Sequence, residues 1–480
     1  MKFDLQKRQC YWFNEISKIP RGSRNEKAVS DFVVQFARDH GLAWHQDEVW
    51  NVTVDKPASK GYEKASVLIL QAHMDMVCEK TSDSRHDFLK DPLELYTDGD
   101  LLKAKGTTLG ADDGTGVAYM LAVLEDDSLA HPPLECIFTT MEEIGLLGAE
   151  KLRKEDLHGH RLISLDGGGE VVTAASSAGG CDVSLDSELQ MTENHDPAYV
   201  LHVYGLQGGH SGGEIHKERG NANILAARIL EEAQSNGIRV NLVSLEGGSK
   251  DNAITREAEY IFTSPADPSC LQASVTRSAA AIREELSISD PGFRADCTPS
   301  AAPSRHADDA SSCALLDMIY LMPDGFQHRS LAIEGLTMTS LNLGIVHTDG
   351  NKVHMQTLIR SALESGVDHL IGILHRLSDR LGIQMETSAR YPGWNYTAIS
   401  PMRDKYAKVA AAHGKELQVM AGHGGLECGI FKGLDPRMDI ITFGPIASNV
   451  HTPQEELDLA SFDRAYEMLK EIIALCNDRL

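Results

Sequence analysis

Short apolar runs separated by helical patterns occupy both ends of the chain. Four of these runs are 66–72, 134–141, 162–165 and 438–443. Short runs that are mostly apolar are typical of strands buried on both faces of a parallel sheet. Apolar periodicity near these runs predicts helices with one apolar face over 26–38 and 461–476, and a compact apolar helix is predicted over 116–124. The two ends of the chain therefore have an α/β pattern, with a mainly parallel central sheet flanked by helices.

The middle of the chain has a different character. A helix is predicted over 223–235, a Pro/Ala/Ser-rich stretch indicates a loop over 297–312, and mixed runs indicate strands over 331–346 and 353–360. With 480 residues the chain is too long for one ordinary core. Because the sheet-and-helix pattern resumes near Tyr391, we predict a discontinuous catalytic domain at 1–186 and 388–480. Residues 187–387 would form an inserted α+β lid or dimerisation domain.

The net charge and the cysteine spacing exclude several kinds of partner and scaffold. The 45 basic and 70 acidic residues give a net charge of −25, which argues against nucleic acid and anionic membranes as partners. The nine cysteines show no C-x-x-C spacing, so we expect reduced thiols and neither disulfides nor a zinc knuckle. No stretch approaches 18 apolar residues, and the N-terminus lacks an uninterrupted apolar segment. We expect a cytoplasmic protein.

Each of the four apolar runs is followed by a residue that can bind a metal ion. His73 follows the first run, Glu142 and Glu143 follow the second, Asp166 follows the third, and His451 comes shortly after the fourth. Ligands bind at the carboxyl ends of the strands in open α/β sheets. These side chains are therefore expected to converge at one edge of the sheet, where a metal-dependent hydrolase would have its active site.

A glycine-rich acidic turn at 109–116 supplies one more ligand. Two metal ions about 3.5–4 Å apart need a bridging carboxylate. Asp112 suits that role because its glycine neighbours allow the backbone to come close to the ions. The predicted ligand sets are His73, Asp112 and Asp166 for one ion, and Asp112, Glu143 and His451 for the other.

Two further carboxylates are expected to act beside the ligands. Glu142 would take a proton from the bridging water and later pass it to the leaving amine, as a general acid–base. Asp75, two residues after His73 on the same strand face, is placed to orient that imidazole. A Glu-Glu pair alone is usually a solvated surface, and an acidic Gly-rich turn alone is more often a loop or a calcium site. Their combination at the ends of predicted strands favours a metal site.

Four motifs resemble those of the dinuclear-metal peptidase superfamily, which includes carnosinase, tripeptidase and aminoacylase. The motifs are His73–Val77, Gly106–Gly114, Glu142–Gly145 and Gly208–Glu214. Similarity to the branch of bacterial aminoacyl-histidine dipeptidases extends through four more segments, 252–254, 359–361, 391–394 and 425–429. The resemblance implies the same ligands and general base, and a cis peptide bond between Asp112 and Asp113.

The resemblance also implies a function and its partners. The chain would be a metallopeptidase with two divalent ions per subunit, Zn²⁺ with Mn²⁺ or Co²⁺ as alternatives, and it would act as a homodimer. It would hydrolyse unblocked dipeptides, including Xaa-His peptides such as β-alanyl-histidine. One departure, the glycine-rich segment 167–170 where close relatives are more acidic, bears on metal preference. Two alternatives are an N-acyl-amino-acid deacylase with the same site and a non-catalytic member that binds metal or peptide.

The segment Gly209–Gly213 has two functional interpretations. Its Gly-x-Ser-x-Gly spacing fits a serine hydrolase, in which a strand and a sharp turn at Ser211 lead directly into a helix. The polar, glycine-broken sequence that follows disfavours this. In the resembled family the histidine of this motif donates to the oxyanion, so His210 is expected to stabilise the tetrahedral intermediate, from a partner subunit or from its own chain. The alternative is a structural histidine that only forms a hydrogen bond with a carbonyl of the turn.

Three residues are candidates for binding substrate. Arg360 follows a mixed run predicted to be an edge strand, and its guanidinium would hold a terminal carboxylate of the peptide in a bidentate grip. An ordinary surface arginine is the alternative. Asn252 and His423 are similar candidates, and each has a capped turn or a packed loop as its alternative.

Overall fold

The computed structural model describes residues 3–479. The chain forms two compact units. Within the described residues, the first contains 3–176 together with 394–421 and 426–479, and the second contains 177–393 and 422–425. Among the described residues, no helix combines the length and apolar character needed to cross a membrane, and all nine cysteines are free thiols.

Ten α-helices occur within residues 3–479. They are α1 (Arg8–Ile16), α2 (Lys27–Asp39), α3 (Ala111–Glu125), α4 (Ala222–Ser235), α5 (Pro268–Glu285), α6 (Asp309–Leu321), α7 (Glu364–Leu381), α8 (Pro401–Ala412), α9 (Glu427–Leu434) and α10 (Leu459–Ala474). Short 3₁₀ turns lie at Ala149–Lys151, Lys154–Asp156 and Ile215–Lys217.

The same residues contain twenty-five strands. They are β1 (Ala43–Gln46), β2 (Val52–Lys56), β3 (Leu68–His73), β4 (Leu95–Asp98), β5 (Leu101–Ala104), β6 (Leu134–Thr139), β7 (Arg161–Ser164), β8 (Val172–Ala174), β9 (Gly179–Glu188), β10 (Met191–Glu193), β11 (Ala198–Tyr204), β12 (Gly209–His210), β13 (Asn241–Gly247), β14 (Ala253–Ile254), β15 (Ala258–Thr263), β16 (Arg294–Ser300), β17 (Arg305–Ala307), β18 (Gly325–Arg329), β19 (Thr337–Asp349), β20 (Lys352–Ser361), β21 (Gln384–Tyr391), β22 (Gln418–Met420), β23 (Asp439–Thr442), β24 (Ala447–Ser448) and β25 (Glu456–Asp458).

The first unit is built on a six-stranded sheet in the order β1-β2-β6-β3-β7-β23. The four strands from β6 to β23 are mutually parallel, and β1 and β2 are antiparallel at one edge. Every residue of β3, β6 and β7 is buried, as expected for strands covered on both faces. Side chains of α1, α2, α3, α8 and α10 complete the hydrophobic core. The predicted mainly parallel sheet flanked by helices is confirmed.

The second unit is an α+β structure around an antiparallel sheet in the order β16-β11-β15-β13-β19-β20-β9-β21, with β18 paired to β19. Its core is formed by the sheet together with α4, α5, α6 and α7. The unit begins after Ser176 and continues to Gly393, whereas the predicted insertion was 187–387. Both boundaries of the unit lie outside the predicted ones because β9 and β21 cross them. Strand β9 pairs with β20 and with β21, so all three strands belong to the sheet of the second unit.

Two local predictions in the second unit are wrong. The stretch 297–312 is not a loop, because it contains the end of β16, all of β17 and the start of α6. Pro299 is tolerated because β16 is an edge strand, and the Asp308 side chain accepts a hydrogen bond from the Ser311 N–H at the start of α6. The strand predicted from residue 331 begins only at Thr337.

Candidate metal centre

The carboxyl ends of three neighbouring parallel strands bring the predicted ligands together. His73 is the last residue of β3, Glu142 and Glu143 follow the end of β6, and Asp166 follows the end of β7. Because β6, β3 and β7 are adjacent, these three ends lie side by side. Among the predicted ligands, His451 alone comes from a segment far along the chain, in the turn before β25.

Two groups of potential ligand atoms share Asp112. One group is His73, Asp112 and Asp166, and the other is Asp112, Glu143 and His451; within each, the ligand atoms lie within 4.8 Å of one another. Asp112 Oδ1 is 3.0 Å from His73 Nε2, and its Oδ2 is 3.2 Å from His451 Nε2. Glu143 Oε2 is 3.1 Å from the same His451 nitrogen. Both groups have the composition predicted from the sequence.

The electrostatics of this cluster fit the binding of cations. Burial and the neighbouring charge of Asp112 raise the pKa of Asp166 to about 7. Asp112 and Glu143, which face the ring of His451, raise the pKa of that imidazole to about 10. Glu143 Oε1 is buried without a hydrogen-bond partner. Buried carboxylates at such close range are costly unless a positive charge compensates them, and their combination with imidazole nitrogens suits Zn²⁺, Mn²⁺ or Co²⁺.

Glu142 is half-buried beside these groups. Burial, followed by the negative charges of Asp166, Glu427 and Glu143, raises its pKa well above the usual range, although His73 opposes the shift. A raised pKa favours the protonated carboxyl, the form in which a general acid–base delivers its proton. Glu142 also lies with His73 and Glu143 in a third group of converging ligand atoms.

Asp75 connects His73 to Glu142 and Glu143. Its Oδ1 lies 3.4 Å from His73 Nδ1 and accepts a hydrogen bond from the Glu142 N–H at 3.0 Å. Its Oδ2 accepts hydrogen bonds from the Glu143 N–H at 3.2 Å and the Ser23 hydroxyl at 2.7 Å. One buried carboxylate thus fixes the ring of His73 and the backbone of both glutamates.

The turn that carries Asp112 has an unusual backbone. Gly110 has φ +67°, and Asp112 and Asp113 depart from helical geometry at the start of α3. The peptide bond between Asp112 and Asp113 is cis, as the resemblance implied.

Sequence reasoning gave no role to Glu427, the first residue of α9. Its Oε2 accepts hydrogen bonds from Gln71 Nε2 at 2.5 Å and Thr139 Oγ1 at 2.8 Å, so it joins the ends of β3 and β6. Burial and the nearby charges of Asp75 and Asp166 raise its pKa to about 8, against the effect of His73. The segment 425–429 supported the resemblance, but only tertiary structure brings this carboxyl next to β3 and β6.

In the second unit, His210 is held in one tautomer. The N–H groups of Gly212 and Gly213 donate to its Nδ1, each at 3.1 Å. Nδ1 is therefore an acceptor, and the proton of the neutral ring lies on Nε2. Burial and the positive charge of Arg360 lower the pKa of His210. The ring is thus a neutral Nε2–H donor, the form that an oxyanion donor needs.

The serine-hydrolase interpretation is wrong for the part of the chain that the structure describes. The Ser211 hydroxyl is buried without a hydrogen-bond partner, so no base activates it. The strand before it is followed by the 3₁₀ turn Ile215–Lys217, and the next α-helix starts only at Ala222.

Arg360 lies inside the second unit's sheet. Strand β20 pairs with β19 on one side and β9 on the other, so the prediction of an edge strand is wrong. The Arg360 side chain is only 7% exposed, which also excludes an ordinary surface arginine. Its Nη1 donates to the Tyr391 hydroxyl at 3.2 Å, and its Nε is buried without a partner. Part of the guanidinium therefore remains free to bind an anion.

His423 lies near Arg360, and Asn252 lies near His210. His423 Nε2 is 2.7 Å from the hydroxyl of Ser340, the cross-strand neighbour of Arg360. Burial and the positive charge of Arg360 lower the pKa of His423 to about 3. The Asn252 carbonyl accepts a hydrogen bond from the Ser211 N–H, and Asn252 and His210 line one open cavity of about 1130 Å³.

Comparison with known proteins shows the family of the chain. Residues 69–475 match the family described as peptidase family M20/M25/M40. The chain is 36% identical over 471 residues to the cytosol non-specific dipeptidase of Escherichia coli, covering 96% of each chain. The crystal structure of aminoacylhistidine dipeptidase from Vibrio alginolyticus superposes with a TM-score of 0.91 at 33% identity, covering 97% of this chain and 96% of that one.

A tripeptidase from Staphylococcus aureus shares the fold alone, with a TM-score of 0.55 at 16% identity over 98% of each chain. The motif-based resemblance is confirmed by the family match and by the two closer relatives. The chain belongs to peptidase family M20/M25/M40.

Proposed function

We propose that this enzyme is a metal-dependent dipeptidase that hydrolyses unblocked dipeptides, including Xaa-His peptides such as β-alanyl-histidine. The observation that carries the proposal is the pair of ligand groups joined by Asp112, with Glu142 beside them. Its similarity to a non-specific dipeptidase and to an aminoacylhistidine dipeptidase supports the substrate class. Similarity to the cytosol non-specific dipeptidase also supports a cytosolic location.

The metal ions, Glu142 and Asp75 have separate roles in the proposed reaction. Two divalent ions, proposed to be Zn²⁺ with Mn²⁺ or Co²⁺ as alternatives, would polarise the scissile carbonyl and lower the pKa of the attacking water to about 7. Glu142 removes the proton of that water and returns it to the leaving amine. Asp75 keeps the His73 ring and the Glu142 backbone in place during both transfers.

Residues of the second unit are proposed to bind the substrate. His210 donates its Nε2–H to the developing oxyanion, a contribution of about 3 kcal/mol where such donors have been removed. Arg360 binds the terminal carboxylate of the peptide through the part of its guanidinium that lacks a partner. His423 and Asn252, placed beside Arg360 and His210, shape the same binding surface. The enzyme is proposed to be a homodimer.

A substrate panel tests the proposed function. β-Alanyl-histidine and glycyl dipeptides would be compared with their N-acetylated forms, before and after chelation and after restoring Zn²⁺, Mn²⁺ or Co²⁺. We expect chelator-sensitive cleavage of the free dipeptides only. Cleavage confined to the blocked peptides would identify a deacylase, and binding of metal or peptide without turnover would identify a non-catalytic member. Activity that survives complete removal of metal would contradict the two-ion site.

Mixing variants tests the roles of His210 and the dimer. His210→Ala is expected to lower kcat by about 10²–10³-fold, the effect of losing one oxyanion donor. If His210 acts across a dimer, subunit exchange between His210→Ala and Glu142→Ala proteins restores activity, because some sites then combine both intact residues. His216→Ala, a nearby histidine outside the motif, is the control and should retain activity. Unchanged turnover of His210→Ala would contradict the oxyanion role.

A further inference from the structure

A buried carboxylate far along the sequence binds the backbone of the Asp112 turn. Glu455 Oε2 accepts hydrogen bonds from the N–H groups of Leu109 at 2.7 Å and Gly110 at 2.9 Å. Its Oε1 accepts from Ala111 at 2.8 Å and, at a longer 3.4 Å, from Asp112. Glu455 is 2% exposed. Successive amides of the turn thus converge on one carboxylate.

The opposite side of the same turn is bound by a buried arginine. Arg21 Nη2 donates to the Gly110 carbonyl at 2.6 Å, and its Nη1 donates to the carbonyls of Met74 at 3.0 Å and Asp75 at 3.1 Å. A Cβ at Gly110 would lie 2.5 Å from Arg21 Nη2, so only glycine fits between the turn and the guanidinium. Arg21 therefore ties the turn to the segment that follows His73.

Glu455 in turn belongs to the loop of His451. Its N–H donates to the carbonyl of Thr452 at 3.0 Å, so it closes the turn that follows the histidine. His451 itself has φ +63°, a backbone region that residues other than glycine seldom occupy. In this conformation His451 Nε2 lies 3.2 Å from Asp112 Oδ2, so the loop of Glu455 and the turn that Glu455 binds meet at the same carboxylate.

We propose that Glu455 is a positioning residue of the metal centre. By binding the amides of the 109–112 turn, it holds the Asp112 carboxylate between His73 and His451. This inference rests on the proposed two-ion function. Charge-assisted hydrogen bonds to backbone amides are strong and directional, and supporting groups of this kind typically change metal affinity by about 10–100-fold.

Glu455→Gln isolates the role because it keeps the size of the side chain. The amide places one NH₂ donor against N–H groups that need an acceptor, so part of the turn loses its partner. Asp290→Asn is the matched control. Asp290 is also buried and accepts from the N–H groups of Gln207 and Gly220, each at 2.7 Å, but it lies in the second unit and in none of the described groups of potential metal ligands.

The test is calorimetric titration of metal-free full-length proteins with Zn²⁺, accompanied by thermal unfolding of the same samples. We expect Glu455→Gln to bind Zn²⁺ about 10–100-fold more weakly than the parent, and Asp290→Asn to remain within twofold of the parent. Two ions bound by Glu455→Gln within twofold of the parent affinity would overturn the inference, whatever the unfolding temperature.

Glu455→Asp provides a second variant should the glutamine protein not fold. It keeps the charge but is one methylene shorter, so we expect weakened Zn²⁺ binding, and parent affinity would again overturn the inference. The parent protein separates this outcome from failure of the proposed function. If the parent binds no Zn²⁺ or cleaves no dipeptide, the proposed function fails. If the parent binds Zn²⁺ and cleaves dipeptides, but the Glu455 variants bind Zn²⁺ as tightly as the parent, only the positioning role fails.

Discussion

Glu142→Gln is expected to lower kcat for dipeptide hydrolysis by about 10²–10⁴-fold, the contribution of a positioned general base. Glutamine fills the same space but cannot accept the proton of the attacking water or deliver one to the amine. The predicted ligands His73, Asp112, Glu143, Asp166 and His451 are untouched, so Zn²⁺ affinity should change little.

Steady-state kinetics on a glycyl dipeptide, combined with Zn²⁺ titration, would measure both effects for Glu142→Gln. Glu155→Gln, at an exposed position of the same unit, is the matched control and should retain parent kcat. A Glu142→Gln enzyme with kcat within tenfold of the parent would exclude Glu142 as the base. A parallel loss of Zn²⁺ would reassign it as a ligand.

Asp112→Asn is expected to have the other large effect, because this carboxylate alone is shared by both ligand groups. The amide removes a negative charge and leaves one oxygen where two are needed, so one ion loses its ligand and the other keeps only a neutral, weaker one. We expect metal affinity to fall by more than the about 100-fold associated with supporting groups. Hydrolysis at equal metal concentration should fall with it.

Metal content after dialysis, measured by elemental analysis, is the direct readout for Asp112→Asn. The parent should hold two ions per chain and the variant at most one. Asp127→Asn, just beyond the other end of α3 and exposed, should hold two. Two tightly held ions in Asp112→Asn would show that the sites do not share a bridging carboxylate.

The pattern of the chain was sufficient to predict the central sheet and the grouping of its ligands. Buried parallel strands have an unmistakable apolar signature, and their carboxyl ends meet by topology, so the sequence alone predicts that His73, Glu143 and Asp166 lie together. The position of His451 was harder to predict, because a turn separates it from the last parallel strand. The apolar run 438–443 before that turn still indicated the carboxyl edge of the sheet.

The supporting groups could not be predicted in the same way. Glu455 and Arg21 bind backbone atoms 346 and 89 residues away, and such contacts leave no local pattern. Glu427 begins a helix, where an acidic residue is ordinary. The central position of Arg360 was missed because its mixed run looks half-exposed, although its strand is covered by neighbours on both sides.

The first unit is built from chain segments that lie before and after the second unit, and this has a consequence for synthesis of the protein. The ribosome makes all of 177–393 before β23 appears, which takes about 10–40 s at about 5–20 residues per second. During this interval β7 lacks its later neighbour, and an unpaired strand edge of that kind is open to association with other chains. His451 emerges later still, so a nascent or prematurely terminated chain lacks one proposed ligand of the second ion. We therefore expect peptidase activity only when translation is nearly complete.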